Sequence, residues 1–298
     1  MQTGFGHAAY EAITCGLWCV MRTLEPEDCA INTATLGFQA SIHETIDAVA
    51  RHGFAGIAPW RREIEGQDIR IVARHIRDAG LQVTGYCRST YIPSESRAGF
   101  EANVFDNKRA LTDAAVLGAN SFVMVVGTLR DLAAARTQVR DGLDLLFEFA
   151  KALNVKLAIE PLHPVYAAER SCITLAEEAL DLCDSIEGQT QNPTVGIFID
   201  AYHLWWSSNL KRDIGRAGNA NRIFGFHISD WLNPTVDILN DRGMMGDGVI
   251  DLKSIRQMVE EAGYKGLVET EIFSSNNWWK KPMDETLAMI AERIRTSV

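Results

Sequence analysis

The sequence of 298 residues lacks the features that mark several large classes of protein. It has no apolar run near the ~18 residues that a membrane helix needs, so an integral membrane protein is not expected. Apolar residues, in contrast, make up 47% of the chain. This high share excludes a disordered protein. Positive charge is not in excess, because 29 Lys and Arg face 39 Asp and Glu, a net charge of −10. That sign repels a phosphate backbone, so nucleic acid is not expected as a partner.

The six cysteines are scattered, and no second pair matches Cys15 and Cys19 to complete a zinc site. A chain of this length builds a core without disulfides, so we expect reduced thiols and a cytoplasmic location. No basic start followed by an apolar core is present, and a secretory signal is not expected. Residues 1–28 show little periodicity and predict a poorly structured N-terminal extension to one domain, residues 29–298.

From Cys29 onward, short apolar runs alternate with amphipathic stretches. Capping-box patterns at Ser41–Glu44 and Thr174–Glu177 mark two helix starts. Eight strands alternating with eight helices predict a (β/α)₈ TIM barrel. A doubly wound open sheet is the rival, but the Gly-rich loop that usually follows its first strand is missing. The predicted strands, most of them unbroken apolar runs typical of a parallel sheet, are Ala30–Thr33, Phe54–Ala58, Gln82–Tyr86, Ser121–Val126, Lys156–Glu160, Val195–Asp200, Ile223–Ile228 and Leu267–Ile272.

Ionisable side chains end four consecutive predicted strands, the fifth to the eighth, and the ends of barrel strands carry the active site. One such acid alone could be a helix N-cap or an arginine partner. Four together predict a site for one divalent metal ion, with Mn²⁺ preferred, Mg²⁺ or Co²⁺ also suited and Zn²⁺ less so. The four predicted ligands are Glu160, Asp200, His227 and Glu271. Glu269 lies two residues before Glu271 and on the same face of the strand, so it is expected to contact the metal ligands without binding the ion itself.

Four segments of the chain resemble the xylose isomerase-like barrels, namely Ala158–Leu162, Asp200–His203, Phe226–Asp230 and Gly263–Gly266. This superfamily includes sugar isomerases and epimerases, ketose 3-epimerases, inosose dehydratases and, more distantly, endonuclease IV. The resemblance extends from about Cys29 to the end. By analogy with ketose 3-epimerases, the four predicted ligands hold one metal ion, and Glu160 and Glu271 are also the catalytic acid–base pair. His203 and Arg242 are implied to contact the substrate.

Endonuclease IV-like enzymes are a remote alternative. Their additional His ligands build a trinuclear zinc cluster, whereas the first three strand ends here offer Asn32, Trp60 and Cys87. The negative net charge also disfavours a DNA substrate.

Several residues near the strand ends have both a functional and a structural interpretation. Trp60 and Trp231 are expected to stack on a sugar, although indoles in loops also fill cores. Arg88 is expected to contact the substrate. Arg61, Arg88 and Arg242 could each bind a phosphate or carboxylate of the substrate or orient its hydroxyls, and the structural alternative for each is a surface salt bridge. Since no Gly-rich phosphate cradle is apparent, a phosphorylated substrate is not favoured.

Two further residues are expected close to the metal ligands. His163 is assigned to the substrate pocket, with capping of its own loop as the structural alternative. Asp230 is expected to hold His227 in its tautomer, as metal-bound imidazoles commonly require, or else to cap the next loop.

The predicted function is that of a divalent-metal-dependent sugar isomerase or epimerase. The ion would chelate a carbonyl oxygen and the adjacent hydroxyl, and a carboxylate would remove the α-proton to give a metal-stabilised enediolate. The same site would eliminate a β leaving group, so a lyase acting on a 3-keto-glycoside or an inosose is the alternative. A non-catalytic sugar-binding protein is remote. The expected partner is a small carbohydrate, and a homo-oligomer is compatible with the resemblance.

Overall fold

The computed structural model describes residues 22–298, in which strands and helices alternate from Cys29 onward. No helix within this range is long and apolar enough to cross a membrane. The strands are β1 (Cys29–Asn32), β2 (Gly56–Ala58), β3 (Gln82–Val83), β4 (Ser121–Met124), β5 (Lys156–Ile159), β6 (Val195–Asp200), β7 (Ile223–Ile228), β8 (Asp230–Trp231), β9 (Arg242–Gly243) and β10 (Val268–Thr270). The α-helices are α1 (Ile42–Arg51), α2 (Arg61–Ile64), α3 (Ile69–Asp78), α4 (Arg97–Leu117), α5 (Leu132–Leu153), α6 (Ala176–Glu187), α7 (Ala201–Leu204), α8 (Leu210–Asn219), α9 (Leu252–Glu261) and α10 (Met283–Ser297).

The predicted (β/α)₈ barrel is confirmed by the order of the strands. The parallel sheet runs β3-β2-β1-β10-β7-β6-β5-β4, while β8 and β9 form a separate antiparallel hairpin. The two ends of the sheet meet where Tyr86 pairs with Phe122. There the backbone N–H of Tyr86 donates to the carbonyl of Ser121 at 2.9 Å, and that of Ser89 to Val123 at 3.0 Å. These bonds close the ring and bring the C-terminal ends of all eight strands to one rim.

Each predicted barrel strand overlaps an observed one, because the unbroken apolar runs are those buried on both faces, although β1 begins one residue earlier than predicted. All six residues of β6 are buried, for example. The third strand is shorter than predicted, since regular pairing covers only Gln82–Val83. Beyond it the chain continues through isolated bridges, from Cys87 to Trp60 on one side and from Tyr86 to Phe122 on the other.

One of the two predicted capping boxes is confirmed and the other is displaced by one residue. The Glu44 carboxylate accepts from the backbone N–H of Ser41 at 2.9 Å, and the Ser41 hydroxyl accepts from that of Glu44. Helix α6, however, begins after Leu175, whose backbone is extended. Glu178, not Glu177, therefore reaches back to the N–H of Thr174 at 3.0 Å.

Most of the predicted N-terminal extension, with Cys15 and Cys19, lies outside the described residues. Its last part, residues 22–28, contacts the barrel. Leu24 is fully buried, and the backbone carbonyl of Arg22 accepts from Arg256 of α9 at 2.8 Å. The four described cysteines are buried free thiols.

Candidate active site

Four side chains meet at the rim from neighbouring strands. Glu160 follows β5, Asp200 ends β6, His227 lies in β7 and Glu271 follows β10. One ligand atom from each lies within 4.8 Å of the others, and all four residues are buried. Donors that share one ion at 2.0–2.2 Å lie up to about 4.4 Å apart, so a small contraction would bring these four onto a single divalent cation. Their chemistry and spacing therefore fit a metal site.

His227 lies between two carboxylates. Its Nδ1 is 2.9 Å from Glu160 Oε1, and its Nε2 is 2.8 Å from Glu269 Oε1. Burial alone would lower the pKa of His227, but the carboxylates of Glu271, Glu269 and Glu160 raise it well above its usual value. These carboxylates therefore favour the protonated form of the ring. Its Nδ1 faces the ligand cluster, and Nε2–H donates to Glu269, the arrangement that fixes a metal-binding tautomer.

The carboxylate of Glu269 forms hydrogen bonds with three side chains, and the sequence did not indicate two of them, Asn32 and Thr84. The amide of Asn32 donates to Glu269 Oε1 and to Glu271 Oε1, both at 3.0 Å. The hydroxyl of Thr84 donates to Glu269 Oε2 at 2.6 Å. Burial opposes ionisation of Glu269, but these bonds and His227 lower its pKa. Asn32, at the C-terminal end of the neighbouring strand β1, thereby holds both Glu269 and Glu271 in place.

Arg242, which the resemblance implies to contact the substrate, lies inside the cluster. Its Nη1 donates to Glu271 Oε2 at 3.1 Å and to Asp200 Oδ2 at 3.2 Å. Its guanidinium stacks over the Tyr202 ring, 4.3 Å from the centroid. Burial nevertheless raises the pKa of Glu271 to about 7, although His227 and Arg242 oppose the shift. The metal-free cluster therefore keeps a proton on Glu271 part of the time at neutral pH.

His203 is buried beside these groups and is neutral. Burial and the nearby charge of Arg242 lower its pKa well below the usual value. Its Nε2 lies 3.2 Å from Arg242 Nη2, which can only donate, so the proton of the ring belongs on Nδ1. That Nδ1 is buried without a hydrogen-bond partner among residues 22–298.

A cavity of about 20 Å³ opens onto the cluster, with room for about one water molecule. Trp60 and Arg88, both assigned to the substrate pocket, line it. Leu239 closes it from the loop between β8 and β9, whose Ile238 carbonyl accepts from Tyr166 at 2.9 Å. This volume is much smaller than that of a sugar.

Two residues assigned to the substrate pocket lie outside it. His163 caps a short 3₁₀ helix, Pro164–Tyr166, by accepting from the backbone N–H of Val165 at 3.2 Å. Its ring packs 4.9 Å from that of Trp231, which in turn stacks on Tyr202 at 4.8 Å. Neither side chain lines the cavity over the cluster. His163 therefore caps its own loop and Trp231 packs against other rings, which are the structural alternatives given for these two residues.

The expected contact between Asp230 and His227 is not formed. Asp230 lies in β8, beyond the end of β7, and its carboxylate accepts from the backbone N–H groups of Gly246, Gly248 and Ile250 at 2.9–3.0 Å. Both nitrogens of His227 already face glutamates. Asp230 thus organises the loop after β9, and Glu269 orients the imidazole.

The chain is similar to one known protein family and to several individual proteins. Residues 46–293 match the profile of the xylose isomerase-like TIM barrels. A crystal structure of a Sinorhizobium meliloti protein is 44% identical, with a TM-score of 0.88 over 92% of this chain and 99% of that one. The inosose isomerase of Bacillus velezensis is 19% identical over 88% of this chain and 93% of its own length.

Other solved structures share the fold at lower identity. The IolI protein, crystallised with a zinc atom, is 19% identical with a TM-score of 0.76, covering 89% of this chain and 96% of that one. Sugar epimerases are also among the structures with this fold, at 18–20% identity. At this identity the likeness shows the fold alone.

Proposed function

The chain belongs to the xylose isomerase-like TIM barrel family, and from its site we propose that it is a metal-dependent sugar isomerase or epimerase. One observation carries the proposal. Glu160 and Glu271 come from the two outer strands of the arc β5-β6-β7-β10, with Asp200 and His227 between them. Two carboxylates therefore approach the centre of the cluster from strands that are separated by two others.

We propose that Glu160, Asp200, His227 and Glu271 hold one divalent ion. Three carboxylates and one imidazole suit Mn²⁺, Mg²⁺ or Co²⁺, and we propose Mn²⁺, while a zinc ion accepts the same ligands. When bound, the ion supplies Lewis-acid polarisation of the carbonyl oxygen and the adjacent hydroxyl of a ketose.

The proton is moved by the two glutamates. One carboxylate removes the proton α to the carbonyl, and the other returns a proton to the resulting enediolate. Return to the opposite face of the same carbon gives the epimer, and return to the neighbouring carbon gives the isomer. His203 lines the cavity and contacts the substrate in this proposal, and Arg242 holds Asp200 and Glu271 in position.

A substrate panel tests this proposal. The Mn²⁺-loaded protein is incubated with an inosose, several ketoses and 3-keto-glucosides, and the products are identified by NMR and mass spectrometry. We expect a product of unchanged mass from at least one of them. Loss of water or of the aglycone would identify a lyase instead, and no product from any compound would favour a sugar-binding protein.

Glu269→Gln should weaken metal binding although Glu269 is not itself a proposed ligand. The change keeps the shape of the side chain but removes the negative charge that faces His227 Nε2. Loss of such a support typically costs about 10- to 100-fold in metal affinity. Isothermal titration with Mn²⁺ measures the Kd. Glu285→Gln, an exposed site on α10, is the control, and a Glu269→Gln Kd within twofold of the wild type would contradict the assignment.

Metal binding should also weaken as the pH falls through 7. The pKa of Glu271 is raised to about 7 by burial, and that of His227 is raised well above its usual value. Both groups must lose a proton to act as ligands, so Mn²⁺ competes with protons for them. Because both pKa values are raised, this competition is still present at neutral pH. Between pH 7 and pH 6 the Kd for Mn²⁺ should rise by roughly tenfold or more. A Kd that is the same at both pH values would contradict this.

A further inference from the structure

Two arginines at the cavity lack acidic partners. Arg88 and Arg170 both line it, yet within residues 22–298 neither forms an ion pair or a hydrogen bond to a carboxylate. The Nε of Arg170 is buried with no hydrogen-bond partner in that range. Arg61 differs, because its guanidinium pairs with Asp106 at 2.8 Å. The other arginine of the cavity, Arg242, is paired with Asp200 and Glu271.

The two guanidinium groups are held in place by aromatic rings. Arg88 lies 4.7 Å from the centroid of Tyr91, and Arg170 lies 5.4 Å from that of Tyr166. Burial lowers the pKa of Arg88, and the positive charge of Arg170 lowers it further. Two partly desolvated like charges that line one cavity repel each other. A bound anion would relieve that repulsion.

We propose that Arg88 and Arg170 bind an anionic group, a carboxylate or a phosphate, at the end of the sugar that is remote from the reacting carbon. Guanidinium groups form paired, charge-assisted bonds with both kinds of anion. This inference rests on the proposed function, because it places the reacting end of the substrate at Glu160 and Glu271.

The shape of the surface agrees with this placement. Arg88, Trp60 and Cys87 line both the small cavity and an adjoining open groove of about 1010 Å³. A substrate that enters from the groove passes Arg88 before it reaches the glutamates. Recognition of hydroxyls alone would not need two positive charges, since neutral donors and acceptors serve that purpose without the cost of desolvating a cation.

Binding of three matched ketoses tests the proposal. D-Fructose, D-fructuronate and D-fructose 6-phosphate share the 2-keto group and differ at C6 in charge. Isothermal titration of the Mn²⁺-loaded protein should show that one of the two anions binds at least about tenfold more tightly than D-fructose, a preference that high salt reduces. The anion that binds more tightly identifies the carboxylate or the phosphate as the recognised group.

Substitution of the arginines should remove that preference. Arg88→Gln and Arg170→Gln should each raise the Kd for the favoured anion at least about tenfold more than they raise the Kd for D-fructose. Arg88→Lys, which keeps the charge, should retain part of the preference. Arg62→Gln is the matched control, because Arg62 lies in the groove, is exposed, and stacks on Phe38. Thermal unfolding confirms that each variant is folded.

Equal binding of all three ketoses, or a preference unchanged by both Gln variants, would overturn the anion site. Failure of the proposed function is a separate result. It appears as absence of solvent deuterium uptake by every ketose that binds, whereas the Kd comparison decides the role of Arg88 and Arg170 in either case.

Discussion

Glu160→Gln and Glu271→Gln should each lower kcat by about 10²- to 10⁴-fold, the usual contribution of a general acid or base. Both side chains lie in the cluster with their oxygens aimed at its centre. Glutamine keeps the shape and one oxygen ligand but cannot accept or return a proton at neutral pH. Initial rates on the substrate found in the panel, taken at saturating Mn²⁺, measure the effect.

Two comparison variants separate proton transfer from metal binding. Asp200→Asn removes the charge of a proposed ligand that has no proton-transfer role, so excess Mn²⁺ should restore more of its activity than that of the glutamate variants. Glu261→Gln, exposed at the end of α9, should behave as the wild type. Activity retained in both Glu160→Gln and Glu271→Gln would refute the assigned roles.

Removal of the metal ion should abolish turnover. The Lewis acid contributes several kcal/mol to transition-state stabilisation, which corresponds to about a thousandfold or more in rate. Treatment with a chelator, followed by elemental analysis to confirm the loss of the ion, should give an inactive, folded protein. Added Mn²⁺, Co²⁺ or Mg²⁺ should restore the rate, and the ion should raise the unfolding temperature because it binds the folded chain.

The response to individual metals distinguishes the alternatives. Restoration by zinc alone would contradict the proposal of Mn²⁺ and favour the zinc-dependent branch of the superfamily. Full activity in a protein shown to contain no metal would contradict metal dependence itself. Sodium sulfate at matched ionic strength serves as the control for a general salt effect on the acidic chain.

The convergence of Glu160, Asp200, His227 and Glu271 could be predicted because it follows from two regular features. Unbroken apolar runs mark strands buried on both faces, and a closed barrel brings all strand ends to one rim. The end of each apolar run therefore identifies the residue that lies at the rim to within one or two sequence positions. Their shared location needed no knowledge of side-chain contacts.

The partner of His227 could not be predicted in the same way. Asp230 is three residues away in sequence, whereas Glu269 is distant in sequence but lies opposite His227 in the register of β7 and β10. Strand register across a barrel depends on how every strand staggers, which one short apolar run does not determine. The same applies to Asn32, which reaches Glu271 only because β1 and β10 are neighbours.

Residues in loops were the least predictable. His163 and Trp231 follow strands, as substrate-binding residues do, but turn away to pack against each other. Arg170 lies after a short 3₁₀ helix and belongs to no periodic pattern, yet it reaches the cavity. Loop conformation depends on irregular hydrogen bonds and side-chain packing, so the direction of these side chains required the structure.

Deuterium uptake tests the central claim most directly, because proton abstraction next to a carbonyl is common to the isomerase and the epimerase. The metal-loaded protein is incubated in D₂O with D-fructose, D-fructuronate, D-fructose 6-phosphate and an inosose, and ¹H NMR follows the carbon-bound protons. We expect loss of one α-proton signal in at least one compound, dependent on the metal and absent in Glu160→Gln and Glu271→Gln. No exchange in any compound that binds, or exchange that persists in both variants, would contradict the account.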